Sequence, residues 1–185
     1  MISIINTDIK DVKIIKPTIF SDNRGYFFES YNQKQFIEKI GKINFIQDNE
    51  SKSDFGVLRG LHYQDQPNGQ SKLVRVIKGE IQDIAVDIRK ESETYLQYIS
   101  VNLSSGNKNQ LYIPKGFAHG FLVLSSEAIV SYKVDNYFNL KLDKGIRYDD
   151  PEIDINWQLD NSQIKLSDKD NSLPLIKHNK ILKGR

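Results

Sequence analysis

The chain has 185 residues, and 26 lysine and arginine residues nearly balance 24 aspartate and glutamate residues, giving a formal net charge of +2. At this length one domain, residues 1–185, can bury roughly 70% of the unfolded surface, and the lack of cysteine excludes disulfides, thiolate metal ligands and thiol nucleophiles. The balanced charge argues against binding of nucleic acid or membranes through bulk charge. The N-terminal segment does not resemble a secretory signal peptide and no apolar run approaches 18 residues, so we expect a soluble, cytoplasmic protein.

Short alternating or apolar runs, separated by turn residues, fill most of the chain from Val12 to Tyr137. This spacing is typical of an all-β sandwich or barrel. The predicted strands are Val12–Thr18, Gly25–Ser30, Ile43–Glu50, Val57–Gln64, Lys72–Lys78, Glu80–Arg89, Leu96–Leu103, Gln110–Pro114, Gly120–Leu124 and Ala128–Asn136.

One helix is predicted in the stretch SYNQKQFIEKIG. Ser30 suits its N-cap, and Gly41 suits its end. Three apolar residues share its predicted buried face, namely Phe36, Ile37 and Ile40. Beyond Asp143 the chain is rich in loops, but recurring apolar residues predict that this tail packs back on the body. They are Ile153, Ile155, Trp157, Ile164 and Leu166.

The stretch GVLRGLHYQ, from Gly56 to Gln64, places two basic side chains on one predicted strand. Successive side chains of a strand point to opposite faces, so Arg59 and His62 should diverge. Gly60 lies between them, and a glycine inside a strand often marks a bulge that resets the alternation. A bulge would bring the guanidinium and the imidazole onto one face, as a site for an anionic ligand.

Two further polar side chains lie on apolar faces of predicted strands. Lys72 begins the strand Lys72–Lys78, where its ammonium either reaches water at the strand end or stabilises an oxyanion in a barrel mouth. Tyr132 lies on the inward face of Ala128–Asn136, where it either fills the core or donates a proton.

The histidines resemble part of a metal-binding pattern. In IPKGFAHGF, His119 follows a Pro-x-Gly turn, as in the second motif of the cupin barrels, where the histidine binds a metal. The first cupin motif has a His-x-His pair and a glutamate, whereas HYQ here places Gln64 at the second histidine. Metal sites of this kind usually have a further imidazole or carboxylate in addition to two histidines. Because the sequence offers only His62, Gln64 and His119, we expect a cupin-like barrel without a metal. His178, in the polar tail, is expected to have no role.

Seven blocks of sequence, taken in order, resemble a known family. They are FSDNRGYFFESY, FIQDNESKS, GVLRGLHYQ, QSKLVRVIKGEIQDIAVDIR, LYIPKGFAHGFLVLS, YKVDNYF and LSDKD. The pattern is similar to that of the dTDP-4-dehydrorhamnose 3,5-epimerases, which act on dTDP-4-dehydro-6-deoxy-glucose. The resemblance implies an all-β, cupin-like jelly-roll β-barrel with a few short helices, a homodimer, and epimerisation at carbons 3 and 5 without metal or organic cofactor.

The resemblance also implies roles for individual residues. His62 matches the catalytic base, and Asp170 matches the carboxylate that orients it. Tyr132 matches the general acid on the opposite face of the sugar, and Lys72 matches the cation beside the keto oxygen. Arg59 resembles a ligand of the diphosphate.

Further positions match residues that hold the nucleotide in the family. They are Phe20, Arg24, Glu29, Gln47 and Asn49. The first three are implied to reach across from the partner subunit. Either Tyr137 or Phe138 matches the aromatic residue that stacks on thymine, while His119 and Lys169 match other pocket positions.

The chemistry of the reaction fits these side-chain types. Inverting a carbon next to the keto group requires a base, an acid on the opposite face, and a donor that holds the enolate. A positioned acid or base contributes roughly 10²–10⁴-fold in rate. A preorganised donor at the developing oxyanion contributes about 10²–10³-fold more.

Three alternatives stay open on the sequence alone. A mono-epimerase acting at carbon 3 or carbon 5 of another dTDP-4-keto-deoxysugar would carry the same residues. A metal-dependent cupin, such as an oxygenase or a phosphomannose-isomerase-like enzyme, would place iron, manganese or zinc between His62, Gln64 and His119. A non-catalytic sugar-binding cupin would not need the catalytic set that the resemblance implies.

Overall fold

The computed structural model describes residues 1–178, whose regular secondary structure is mostly β-strand. The strands are β1 Ile2–Asn6, β2 Lys13–Pro17, β3 Phe20–Asp22, β4 Gly25–Phe27, β5 Gln47–Asp54, β6 Leu58–Gln64, β7 Lys72–Lys78, β8 Glu80–Asp87, β9 Tyr98–Ser104, β10 Gln110–Ile113, β11 Phe117–Val123, β12 Glu127–Val134 and β13 Asp143–Gly145. The helices are α1 Gln33–Lys39 and α2 Asp168–Asn171, with 3₁₀ turns at Leu140–Leu142, Asn161–Gln163 and Ile176–His178. Among these residues, no helix is long and apolar enough to cross a membrane.

Two antiparallel sheets form the body of the protein. The six-stranded sheet has the order β1-β2-β10-β7-β12-β5, and the five-stranded sheet has the order β13-β6-β11-β8-β9. Strands that follow each other in the chain often lie in different sheets, as in the jelly roll that the sequence predicts. Strands β3 and β4 form a separate hairpin.

The main apolar core draws on both sheets. Val74 of β7 and Val130 of β12 pack in one cluster with Ala85 of β8 and Phe121 of β11. Side chains alternate along a strand, so one face of each strand supplies this core.

A second cluster lies on the other face of β8. There Ile84 and Val86 pack with Ile153 and Ile176 of the C-terminal segment, and Trp157 packs against them. The prediction that the tail packs back on the body is confirmed. This packing also brings α2 against β6.

Helix α1 begins two residues later than the sequence indicates. Its N-cap is Asn32, whose side chain accepts a hydrogen bond from the backbone N–H of Gln35, and Ser30 instead uses its carbonyl to bind Gln110. Phe36 is buried as predicted, but Ile37 is 42% exposed. The prediction that Ile37 shares the packed face is therefore wrong, because one helical step turns it away from the sheet.

Each predicted strand overlaps an observed one within the described residues, but some bounds differ. β5 begins at Gln47 rather than Ile43, because Ile43 and Phe45 pack against the cluster around α1. The sequence did not predict β1, β3, β13 or α2. Strands β3 and β13 have three residues each, too few to show a periodic pattern.

Candidate active site

The pairing of β6 with β11 contains the bulge that the sequence predicts. His119 pairs with His62, and Phe121 pairs with Arg59, so three steps along β6 oppose two steps along β11. Gly60 lies in this interval with φ of +135°, and a Cβ there would stand 2.5 Å from the backbone of β11. Glycine is therefore required at this position. Arg59 and His62 consequently line one cavity.

Two adjoining cavities share His62, Lys72, Tyr132 and Lys169. The larger, of about 410 Å³, is also lined by Gln47, Asn49, Tyr63, Gln64, Gln70, Phe138 and Asp143. The smaller, of about 270 Å³, is also lined by Ser51, Arg59, His119, Phe121, Ser167 and Asp170. The structure thus brings most of the predicted site residues together. Those that line neither cavity are Phe20, Arg24, Glu29 and Tyr137.

His62 and Asp170 form a hydrogen-bonded pair. His62 Nε2 lies 2.5 Å from Asp170 Oδ1, and the aspartate is 4% exposed. Burial acts to raise the pKa of Asp170, but the hydrogen bond and charge of His62 outweigh it, so the pKa lies below its ordinary value. An ionised carboxylate only accepts hydrogen bonds, so Nε2 carries the proton. In the neutral ring, Nδ1 of His62 then has a lone pair that can accept a proton.

His119 and Asp83 form a second, deeper pair. His119 Nε2 lies 2.7 Å from Asp83 Oδ1, and Asp83 is fully buried. The other oxygen of Asp83 has no hydrogen-bond partner within residues 1–178. Burial lowers the pKa of His119, which favours the neutral ring. Sequence reasoning missed Asp83, although its position among the apolar residues of IQDIAVD marks it as a buried acid.

Lys72 lies next to this second pair. Its Nζ is 3.5 Å from His119 Nδ1, which has a lone pair available when Nε2 donates to Asp83. Burial lowers the pKa of Lys72 to about 8, against the opposing charges of Asp83 and Asp143. Lys72 is half-buried and lines both cavities, and the contact of its Nζ with His119 keeps the ammonium out of open water.

Tyr132 faces the cavity from the opposite sheet. It belongs to β12 of the six-stranded sheet, whereas His62 belongs to β6 of the five-stranded sheet. Burial raises the pKa of Tyr132, and the charge of Arg59 opposes that effect only in part. The hydroxyl therefore stays protonated at neutral pH. The cavity has a proton acceptor on one wall and a proton donor on the other.

Asp143 is a site residue that the sequence did not reveal. It lines the larger cavity from β13, and its Oδ2 lies 2.5 Å from Nζ of Lys169. The residue sits in the loop-rich tail, where no periodic pattern marks it. Through this ion pair with Lys169, Asp143 attaches the segment that carries Asp170 to the rim of the cavity.

Polar and aromatic side chains line the rest of the larger cavity. Gln47 and Asn49 share one face of β5, and Gln47 Nε2 donates to Asn49 Oδ1 at 2.8 Å. In the smaller cavity, Arg59 donates from Nε to Ser53 Oγ at 3.0 Å. Phe138 lines the larger cavity and Tyr137 does not, although both rings are exposed.

The β3–β4 hairpin projects from the body. Phe20 is 57% exposed, and Arg24 pairs with the neighbouring Asp22. Glu29 accepts hydrogen bonds from Asn32 and Gln35 near the start of α1. Phe20, Arg24 and Glu29 line neither of the two site cavities of their own chain.

The metal-dependent alternative does not fit the donors in the cavity. Residues 1–178 hold no group of three or more histidine, aspartate or glutamate side chains placed for a metal ion. Gln64 accepts a hydrogen bond from the backbone N–H of Asn139 and donates to Asp143, so its carboxamide is already engaged. A cation near the free Nδ1 of His119 would also face the ammonium of Lys72 and be repelled.

The fold and the opposed proton acceptor and donor define a cupin-like protein with a site for proton transfer. Residues 6–178 match the family model described as dTDP-4-dehydrorhamnose 3,5-epimerase. The chain is 53% identical over 169 residues to the dTDP-4-dehydrorhamnose 3,5-epimerase of Shigella flexneri, with 91% of this chain and 92% of that one covered. It therefore belongs to the dTDP-4-dehydrorhamnose 3,5-epimerase family, and the resemblance inferred from the sequence is confirmed.

Solved structures are similar over nearly the whole chain. A dTDP-6-deoxy-D-glucose-3,5-epimerase from Legionella pneumophila, in complex with dTDP-4-keto-L-rhamnose, has a TM-score of 0.94 at 47% identity, covering 98% of this chain and 96% of that one. A 3'-monoepimerase from Streptomyces bikiniensis, in complex with dTDP-quinovose, has a TM-score of 0.89 at 27% identity, covering 96% and 90%. The fold alone thus accommodates both double and single epimerases.

Proposed function

We propose that this isomerase converts dTDP-4-dehydro-6-deoxy-D-glucose to dTDP-4-dehydro-L-rhamnose by inverting carbons 3 and 5. The observation that carries the proposal is the His62–Asp170 pair facing Tyr132 across a cavity that also holds Lys72. The names of the relatives give the substrate class, and the side chains supply the chemistry without a metal or an organic cofactor.

His62 is the proposed base. Its Nδ1 takes a proton from the carbon next to the keto group, and the electron pair of the broken C–H bond forms an enolate. Asp170 stays ionised and stabilises the imidazolium through Nε2 without taking the proton itself, as the aspartate does in a serine-protease triad. A positioned base of this kind contributes roughly 10²–10⁴-fold in rate.

Lys72 is the proposed donor to the enolate oxygen. An ammonium in a partly dry cavity stabilises developing negative charge more strongly than it would in water. The ammonium of Lys72 can donate a hydrogen bond to Nδ1 of His119, which lies 3.5 Å from Nζ. This contact fixes the position of the ammonium in the cavity, where the sugar is proposed to bind.

Tyr132 is the proposed acid. It returns a proton to the same carbon from the opposite face, which inverts the configuration. After one inversion His62 carries an extra proton and Tyr132 lacks one, so exchange with water must reset both groups before the second inversion. Hydrogen from solvent therefore enters each inverted carbon.

The nucleotide end is assigned to the remaining side chains of the two adjoining cavities. Arg59 is proposed to bind the diphosphate, since a guanidinium pairs well with phosphate oxygens. Gln47 and Asn49 are proposed to bind the nucleotide. Phe138 is proposed to stack on the thymine in preference to Tyr137, because Phe138 lines the cavity. Lys169 is proposed to lie beside the substrate.

A homodimer is part of the same proposal. The exposed Phe20 and Arg24, which line neither site cavity of their own chain, support the inference that the hairpin serves the partner's site. Glu29 is proposed to act there with them. The single domain over residues 1–185 and the cytoplasmic location remain predictions from the sequence.

A mono-epimerase is the second candidate, because the Streptomyces bikiniensis structure shares the fold. One experiment separates the two. The purified protein is treated with a chelator and incubated with dTDP-4-dehydro-6-deoxy-glucose in deuterated water, and carbons 3 and 5 are followed by NMR. Deuterium at both carbons, with the product trapped by a reductase, is the expected result. Label at one carbon would establish the mono-epimerase, and no label would overturn the proposal.

A further inference from the structure

Tyr137 and Phe138 lie on the connection between β12 and the 3₁₀ turn at Leu140–Leu142. The two aromatic side chains do little to fix the position of this connection. Tyr137 is 65% exposed and Phe138 is 53% exposed. Rings this exposed gain little from hydrophobic burial, so burial alone does not fix their position. Phe138 nevertheless lines the larger cavity.

Two glutamine side chains attach this connection on either side of the aromatic pair. Gln70 Nε2 donates to the carbonyl oxygen of Asn136 at 2.7 Å. The backbone N–H of Asn139 donates to Oε1 of Gln64 at 2.9 Å. The two rings therefore lie between two backbone positions that are fixed to the rim of the cavity.

Gln64 also connects these rings to the proposed base. It lies two residues beyond His62 on β6, so both side chains point to the same face. Gln64 is 9% exposed, and its Nε2 also donates to Asp143 Oδ1 at 3.4 Å. One strand thus supplies the base and the anchor of the Tyr137–Phe138 connection.

We propose that Gln64 and Gln70 are positioning residues that hold Phe138 where it can stack on the nucleobase of the substrate. This inference rests on the proposed function. A connection that is already ordered loses less freedom when the ligand binds, so the anchors raise affinity for the base without touching it. Gln64 thereby has a role that differs from that of the second histidine of a metal-binding cupin.

The test compares a ligand that has a base with one that has none. Calorimetry measures the dissociation constants of dTDP and of inorganic pyrophosphate for wild type, Gln64→Met, Phe138→Ala and the double variant. Methionine keeps the length and burial of Gln64 but removes its hydrogen bonds. We expect Gln64→Met to weaken dTDP binding about tenfold, the size of effect that the loss of one or two hydrogen bonds produces. Pyrophosphate binding should stay unchanged.

The double variant separates positioning from general damage. If Gln64 acts through Phe138, then Gln64→Met adds little further loss once Phe138→Ala has removed the ring. The matched control is Gln82→Met, since Gln82 is 1% exposed and its side chain makes three hydrogen bonds, to Ser100, Asn156 and Gln158, outside the cavity. Gln82→Met should change the binding of neither ligand. Gln70→Met should repeat the pattern of Gln64→Met.

Three results would overturn the inference. Equal dTDP binding by wild type, Gln64→Met and Gln70→Met would show that the anchors do not matter. Equal losses for dTDP and pyrophosphate would show a general structural defect instead of a role at the base. If wild type binds dTDP no more tightly than pyrophosphate, the proposed function fails together with this inference.

Discussion

The ammonium of Lys72 should set an alkaline limit on activity. Burial lowers its pKa from 10.5 to about 8. The cation holds the enolate only while it is protonated, so kcat/KM should be near its maximum at pH 7, about half at pH 8 and about one tenth at pH 9. Tyr132 does not set this limit, because burial raises the pKa of its hydroxyl above 10.0.

Asp83→Asn tests the origin of this limit. The substitution removes a buried negative charge but keeps an oxygen that accepts the Nε2–H of His119. Because that charge helps to keep Lys72 protonated, its loss should lower the pKa of Lys72 further. The midpoint of the alkaline limb should then move below pH 8. Initial rates of epimerisation between pH 6 and pH 10 measure both midpoints.

The control for this experiment is Asp149→Asn. Asp149 is a partly exposed carboxylate paired with Arg147 and lines neither site cavity, so its variant should keep the wild-type midpoint. A wild-type midpoint near pH 10 would refute the assignment of the limb to Lys72. A midpoint that Asp83→Asn leaves in place would refute the electrostatic link between the two residues.

Two predictions concern stability. Burial opposes ionisation of Asp87, but hydrogen bonds from Arg89, Ser92 and Thr94 lower its pKa to about 2, so Asp87→Asn should cost about 2 kcal/mol in denaturant unfolding at pH 7. That stability is present above the unfolded pKa and is lost as pH falls toward 2, so an equal cost at pH 2 would contradict the reasoning. Gly60→Ala should cost about 1–3 kcal/mol more than Gly25→Ala, because both glycines have φ near +133° but only Gly60 has backbone within 4 Å of a new Cβ. Equal costs would show that the close approach of β11 is unimportant.

The sequence predicts most of the fold because alternation of apolar side chains is a local signal. It marks β7, β8 and β12 well, since these strands bury one or both faces in the core. The bulge at Gly60 was also predictable, because a glycine separates two polar residues within one strand. Strand β13, with only three residues, carries no comparable pattern.

The site is harder to predict because its partners are distant in the sequence. His62 and Asp170 are 108 residues apart, and only the family resemblance paired them. Asp83 and Asp143 were missed, since a single acid in a strand or loop does not reveal which cavity it enters. Gln64 was predicted only as part of a metal alternative, whereas its contacts with Asn139 and Asp143 became visible in the folded chain.

The placement of base and acid on opposite sheets is the central claim, and solvent exchange in two variants tests it most directly. His62→Asn and Tyr132→Phe are incubated with the keto-sugar nucleotide in deuterated water, with Tyr148→Phe, which lines neither site cavity, as the control. We expect no deuterium at carbon 3 or 5 with His62→Asn. Tyr132→Phe should retain exchange at one carbon without completed epimerisation, and Tyr148→Phe should match wild type. Wild-type turnover in either site variant would contradict the role assigned to that residue.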